Sequence, residues 1–179
     1  MFTAFLVTFN RMKKVLILSD THGYMDERIL HYAAAADEVW HAGDVGDESV
    51  INQLEQVTQV RGVFGNIDGQ QIRSRFPVIN LFELEGCKIL ISHIIGRPNS
   101  YVARMQNIIR EVRPQIVICG HSHILLVQHV KQESHLHINP GACGKHGFHK
   151  MRTMISLEIN AGKPQNLAVI ELGPRTVKT

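Results

Sequence analysis

Short, unbroken apolar runs recur along the first two thirds of this chain, and amphipathic stretches separate them. Residues 14–19 (KVLILS), 38–44 (EVWHAGD), 58–68 (TQVRGVFGNID) and 115–123 (QIVICGHSH) each carry such a run, bounded by turn residues. A run of this length with no polar alternation is the mark of a strand buried on both faces. Between the runs, residues 25–36 (MDERILHYAAAA) begin acidic and continue with helix-forming alanines. Residues 47–57 place Val50, Leu54 and Val57 on one helical face, and residues 100–114 place Val102, Ile109 and Val112 on another before Pro114. Strands alternating with helices predict a layered α/β fold with a largely parallel sheet. Residues 78–93 (VINLFELEGCKILISH) predict two strands joined by a turn at Glu85-Gly86. After residue 123 the rhythm changes: ILLVQHV, SHLHI, TMISLEI and NLAVIEL are four strand candidates without a helix between them, so antiparallel hairpins are expected. One domain with two apposed sheets and outer helices accommodates both halves.

The 179 residues, 44% hydrophobic and 20% charged, suit one soluble domain, and no apolar run approaches the roughly 20 residues needed to span a bilayer. A net charge of +3 from scattered basic residues tolerates anionic substrates but supplies no strong nucleic-acid-binding signal. Cys87, Cys119 and Cys143 are odd in number and far apart, which predicts packing residues in a reducing, cytoplasmic setting. Residues 1–11 (MFTAFLVTFNR) have their positive charge after the apolar stretch, unlike a secretory signal. They are expected to be an N-terminal extension to a single domain at 12–179, the alternative being an edge strand or an oligomer contact.

Histidine is over-used, with eleven in the chain, and several stand where strands should end. Asp20 and His22 follow the first apolar run, Asp44 the second and Asn66 the third; His93 follows KILIS, and His121 and His123 follow QIVIC. Loops beyond the carboxyl ends of parallel strands gather on one side of a sheet, so these seven side chains are expected to converge. Two carboxylates, one amide oxygen and four imidazoles suit borderline divalent ions better than Mg²⁺ or Ca²⁺. Seven ligands exceed the needs of one ion with an open position and match two ions that share a carboxylate. A cationic pair of this kind attracts an anion and is a known device for displacement at phosphorus. Singly, each residue has a bland reading, such as helix cap, surface histidine or turn asparagine; jointly the pattern outweighs them.

The set DTH, GD, GN, a lone His after a strand, and GHSH resembles the calcineurin-like metallophosphoesterases. With HAGD, GNID and NPG it is most similar to their small YfcE-type bacterial phosphodiesterase branch, over about residues 13–172. The resemblance implies a four-layer α/β/β/α sandwich. It also implies a first metal held by Asp20, His22, Asp44 and His123, and a second by the bridging Asp44 with Asn66, His93 and His121. Asp44, Asn66 and His93 are the expected catalytic set. The expected cofactors are two divalent ions, Mn²⁺ first, with Fe²⁺, Zn²⁺ or Ni²⁺ as alternatives. The expected reaction is hydrolysis of a small phosphodiester or nucleotide-like substrate by a metal-bridging hydroxide, and a homo-oligomer is compatible with it. The rival readings are a protein-interaction scaffold, as in the retromer-subunit branch of the family, and a nucleotide phosphomonoesterase or pyrophosphohydrolase.

Two departures stand out. Ile67 occupies the place of the family's leaving-group histidine, and Ile94 replaces the glycine usual after His93. Around the set, Asp68 either orients a ligand or closes a turn, and His41 is expected to support the site rather than ligate. Arg97, Lys145, His146 and His149 are candidate phosphate contacts, with solvated loops as the alternative; Gly141 and Gly144 are candidates for close approach to a ligand.

Overall fold

The computed structural model of this chain describes residues 12–176, so the expected extension at 1–11 lies outside the described residues. In chain order the elements are β1 (Lys13–Leu18), α1 (Glu27–Ala34), β2 (Glu38–His41), α2 (Glu48–Glu55), β3 (Gln59–Gly62) and α3 (Gln70–Arg75). There follow β4 (Ile79–Leu84), β5 (Cys87–Ser92), β6 (Gly96–Arg97), β7 (Ser100–Tyr101), α4 (Ala103–Val112) and β8 (Ile116–Ile118). The chain closes with β9 (Leu125–Val130), β10 (His135–Pro140), β11 (Met151–Asn160) and β12 (Lys163–Pro174).

Two five-stranded mixed sheets result, in the orders β12-β11-β1-β2-β3 and β4-β5-β8-β10-β9. The expected α/β/β/α sandwich is present, and the alternation within β1 shows why. Val15 and Ile17 point between the sheets and pack with Trp40, Ile89, Ile91, Ile116 and Ile138. Leu16 and Leu18 point the other way, against Ile29 and Ala33 of α1 and Val50, Ile51 and Leu54 of α2. On the outer face of the second sheet, Leu90 and Val117 meet Met105 and Ile109 of α4. A strand covered on both faces must be apolar at every position, and burying each such Val, Leu or Ile contributes about 1.5–3 kcal/mol.

Several local expectations need correction. Val57 lies beyond α2 and is exposed; Ile51 completes the buried stripe instead. Val102 is the N-cap of α4, not part of its buried face, which Met105 and Ile109 supply. The four late strands do form two antiparallel hairpins, but in different sheets. β9 and β10 join the second sheet, where β10 runs parallel to β8, and β11 pairs antiparallel with β1 in the first. The short helix α3, after GNID, and the β6–β7 hairpin lacked an apolar period long enough to read. The turn at Glu85-Gly86 is as expected, with both residues at positive φ, 48° and 79°, the geometry of a tight hairpin turn.

The three cysteines are free and buried. Burial raises the Cys119 and Cys143 thiols to about 12 and that of Cys87 to about 11, so all three remain protonated packing groups. No helix among the described residues is long and apolar enough to cross a membrane.

Candidate metal centre

β1, β2 and β3 run parallel in one sheet, β5 and β8 in the other, and their carboxyl ends meet at one edge of the sandwich. The loops there are stitched together by backbone bonds: the Asp20 N–H donates to the Gly43 carbonyl, that of His22 to Asp44, and that of Gly144 to Asp20. Across the sheets, the His121 N–H donates to the Asp20 carboxylate, and within the second sheet the Gly120 N–H donates to the His93 carbonyl. The seven sequence-selected side chains come together on this edge. Donor atoms of Asp20, His22 and His123 lie within 4.8 Å of one another, as do those of Asp44, His93 and His121. Asn66 joins the second group, its Oδ1 3.1 Å from His93 Nε2.

Asp44 faces both groups. Its Oδ1 is 3.2 Å from His93 Nε2, and its Oδ2 is 3.9 Å from His22 Nε2. The chemistry of the donors fits a cation. His93 Nδ1 is 2.8 Å from the Ala42 carbonyl, an acceptor only, so Nδ1 carries hydrogen and Nε2 of the neutral ring presents a lone pair. That lone pair faces two further oxygen acceptors, from Asp44 and Asn66. In the other group, His22 Nε2 and His123 Nε2 lie 3.3 Å apart, and His123 Nε2 is 3.2 Å from Asp20 Oδ1.

Titration reflects the same crowding of acceptors. Burial works against the proton on His93, but the hydrogen bond to Asp44 and the charges of Asp20 and Asp44 outweigh it and hold the imidazole above its ordinary value. Burial alone would raise Asp44; His93 reverses that and holds the carboxyl below its usual range. Burial lowers His22, the pull of Asp44 and Asp20 notwithstanding. A proton thus takes part of the place that a cation fits.

Backbone strain marks the same residues. Asp20, His22, Asp44, His121 and His123 all have φ between 48° and 68°. Non-glycine residues rarely adopt this region, and such strain collects at functional sites. Glycine is required where the loops touch: a Cβ on Gly65 would sit 2.0 Å from Asp44 Oδ1, and one on Gly144 would sit 2.3 Å from the Thr21 carbonyl. The close approach at Gly144 is therefore to the chain's own backbone, not to a ligand.

The supporting residues resolve as follows. The Asp68 carboxylate accepts from the N–H groups of Val45 (3.2 Å), Gly46 (2.8 Å) and Gly65 (2.7 Å), tying the Asp44 loop to the Asn66 loop while closing its own turn. The turn reading of Asp68 holds, and its bonds run to backbone N–H groups rather than to any of the seven donor side chains. His41 is fully buried and spends both ring nitrogens within the protein, Nδ1 accepting from the Gly43 N–H and Nε2 facing Thr21 Oγ1 at 2.9 Å. It props the loop and belongs to neither donor group. Ile67 is exposed, and its N–H donates to Asp44 Oδ1. On the loop after β10, the His146 ring lies 4.7 Å from that of His22, whereas Lys145 sits over Tyr24 and His149 faces the Gly144 carbonyl. Arg97, on β6, is exposed.

Sequence reasoning missed two residues. Phe148, 78% exposed, stacks on His123 with ring centres 5.9 Å apart. Asn139, buried, donates to the Gly120 carbonyl and Ser122 Oγ and accepts from the Gly141 N–H, holding the GHSH loop. Its signal was the NPG triplet directly after a strand.

Burial pushes His41 and His137 down to about 4. An unfolded histidine titrates near 6.5, so between pH 6.5 and 4 the unfolded chain binds more protons, and stability falls as pH falls. The contribution of these two should be full above pH 6.5 and decline toward pH 4, each histidine adding on the order of 3 kcal/mol to the loss. Urea unfolding at a series of pH values measures this; a midpoint unchanged from pH 7 to 4.5 would refute it.

Comparison with known proteins defines the class. Residues 12–162 match the calcineurin-like phosphoesterase superfamily domain, and the chain belongs to that family. A probable metallophosphoesterase of Mycoplasma pneumoniae is 29% identical over 168 residues, 87% of this chain and 96% of its own. Among solved structures, a novel archaeal phosphodiesterase superposes with a TM-score of 0.65 at 21% identity, covering 88% of this chain and 99% of its own. The zinc complex of Vps29 from Entamoeba histolytica gives 0.68 at 17%, covering 91% and 99%. At these identities the two structures speak to the fold alone.

Proposed function

We propose that this metallophosphoesterase-family chain hydrolyses phosphodiesters at a site for two divalent cations. Asp20, His22 and His123 would hold one, Asn66, His93 and His121 the other, and Asp44 would be shared. The observation that carries this reading is the Asp44 carboxylate, one oxygen turned to each donor group. The family match and the M. pneumoniae relative, a probable metallophosphoesterase by name, support phosphoester hydrolysis.

When bound, the cations would supply Lewis acidity, lowering the pKa of a water and offsetting charge on phosphoryl oxygens. The protein's share would be to hold them through the Asp44 carboxylate, the His93 imidazole, whose ring is fixed by the Ala42 carbonyl, and the Asn66 amide oxygen. In hydrolysis, water oxygen bonds to phosphorus, the ester P–O bond breaks, and the departing alkoxide needs a proton. With Ile67 in place of an imidazole, that proton comes from solvent or a neighbouring loop, so esters of acidic alcohols should turn over fastest. The donor set suits Mn²⁺, with Fe²⁺, Zn²⁺ or Ni²⁺ as competitors.

Protein freed of metal should be inactive on bis(p-nitrophenyl) phosphate and regain activity with Mn²⁺, with close to two ions per chain by elemental analysis. Chelator-insensitive turnover would overturn the reading. Absence of metal binding would favour the scaffold alternative, and preference for monoesters or anhydrides in a substrate panel would favour the nucleotide phosphatase.

A further inference from the structure

Beside the second donor group, a cavity of about 670 Å³ opens between the β5–β6 loop and strand β9, with His93 and His121 in its wall. That is far more room than a phosphoryl group needs, and it falls within the roughly 300–1,000 Å³ typical of small-molecule sites. Ile124, Leu126 and Gln128 alternate onto the cavity from one face of the β9 stretch, and Ile94 of the β5–β6 loop and Pro98 of the β6–β7 turn line it from the other side. Ile94 is 44% exposed and Ile124 57% exposed, so apolar surface lies open directly next to the candidate metal ligands.

Most polar groups in the wall are already engaged within the protein. His137 meets the Tyr101 hydroxyl at 3.1 Å and Cys119 Sγ at 3.5 Å. Asn139 is bound to Gly120, Ser122 and Gly141, as described above. Outside the donor group, what remains for a ligand is Arg97, Gln128 and the Ser122 hydroxyl hydrogen, all on exposed residues. No Phe, Tyr or Trp among the described residues lines the cavity; its rings are the imidazoles of His93 and His121, which belong to the second donor group, and of His137, whose two nitrogens are engaged, so the free wall beyond the donors is chiefly aliphatic.

We infer that this cavity receives one organic substituent of the phosphoester and that the substituent is an aliphatic chain rather than a nucleoside. The assignment rests on the phosphodiesterase reading. Arg97, on the same wall, supplies the cation that an anionic diester would meet. Ile94 supplies part of the apolar wall, a contact that the family's usual glycine would not make.

The test compares p-nitrophenyl diesters whose second substituent is methyl, butyl, octyl or thymidine, together with binding of methyl- and butylphosphonate by calorimetry. A fully buried methylene is worth about four-fold, so kcat/KM should rise about ten-fold or more from methyl to butyl. The phosphonate Kd should fall by a similar factor, with thymidine below butyl. Leu126→Ser should cut the butyl-to-methyl ratio below about three-fold and Gln128→Leu should raise it, one cavity residue being made polar and the other apolar. Equal turnover of all esters, or preference for thymidine, overturns the aliphatic assignment and leaves the phosphodiesterase reading intact. No metal-dependent turnover, with chain-length-dependent phosphonate binding retained, overturns the phosphodiesterase reading alone. Loss of both, the result expected if another protein covers this wall, overturns both.

Discussion

Replacing Asp44 with Asn should abolish metal-dependent hydrolysis while leaving the fold standing. The residue sits at φ 52°, a conformation asparagine tolerates, and an amide oxygen can still accept the Ile67 N–H. What disappears is the negative charge turned toward both donor groups. Partners one shell removed from a metal already cost about 10–100-fold in affinity or activity when mutated, so loss of a shared ligand should exceed about 100-fold. Elemental analysis should find fewer ions per chain, and thermal unfolding should be little changed. In the metal-free fold the buried Asp44 charge is offset by His93 and the Ile67 N–H, and the amide retains the second of these partners. Native metal content with full turnover in Asp44→Asn would remove the basis of the proposed chemistry.

The second large effect concerns stability. Asp68→Ala should leave three backbone N–H groups, of Val45, Gly46 and Gly65, without the acceptor they share. Each unsatisfied donor costs about 1–3 kcal/mol when buried, and water entering the gap recovers part of it, so a net loss of about 4 kcal/mol is expected. For a chain of this size that corresponds to a fall in Tm of about 8–16 °C. Asp68→Asn keeps one acceptor oxygen but turns donors toward donors, and should fall between wild type and Ala. Because the carboxylate ties the loop of Asp44 to that of Asn66, metal affinity should weaken in step with Tm. A fall of under about 2 °C with unchanged affinity would reduce Asp68 to a turn residue.

The two variants act on different links of one chain of cause. Asp44 carries charge that the fold tolerates because the site needs it. Asp68 carries charge that the fold uses to hold the site together. A hydrolase built from loops at strand ends depends on both, since no single element contains more than two of the seven donors.

The buried strands were legible because a strand covered on both faces must be apolar throughout, as KVLILS is, and the seven donors were legible because each directly follows such a run. Periodicity located α2 and α4 but misassigned Val57 and Val102, since a helical face extends on paper past the residue where the chain leaves the helix. Short elements such as α3 and the β6–β7 hairpin carry too few residues to show a period. Separation of the two late hairpins into different sheets, the clamp made by Asp68, the bonds of Asn139 and the cavity beside His93 all depend on atoms distant in sequence. Local pattern is written by which faces must avoid water, and that is readable one residue at a time. Which loops then touch is decided by packing between layers, whose contacts join positions far apart in sequence, as over the 124 residues from Cys143 Sγ to the Ser19 carbonyl.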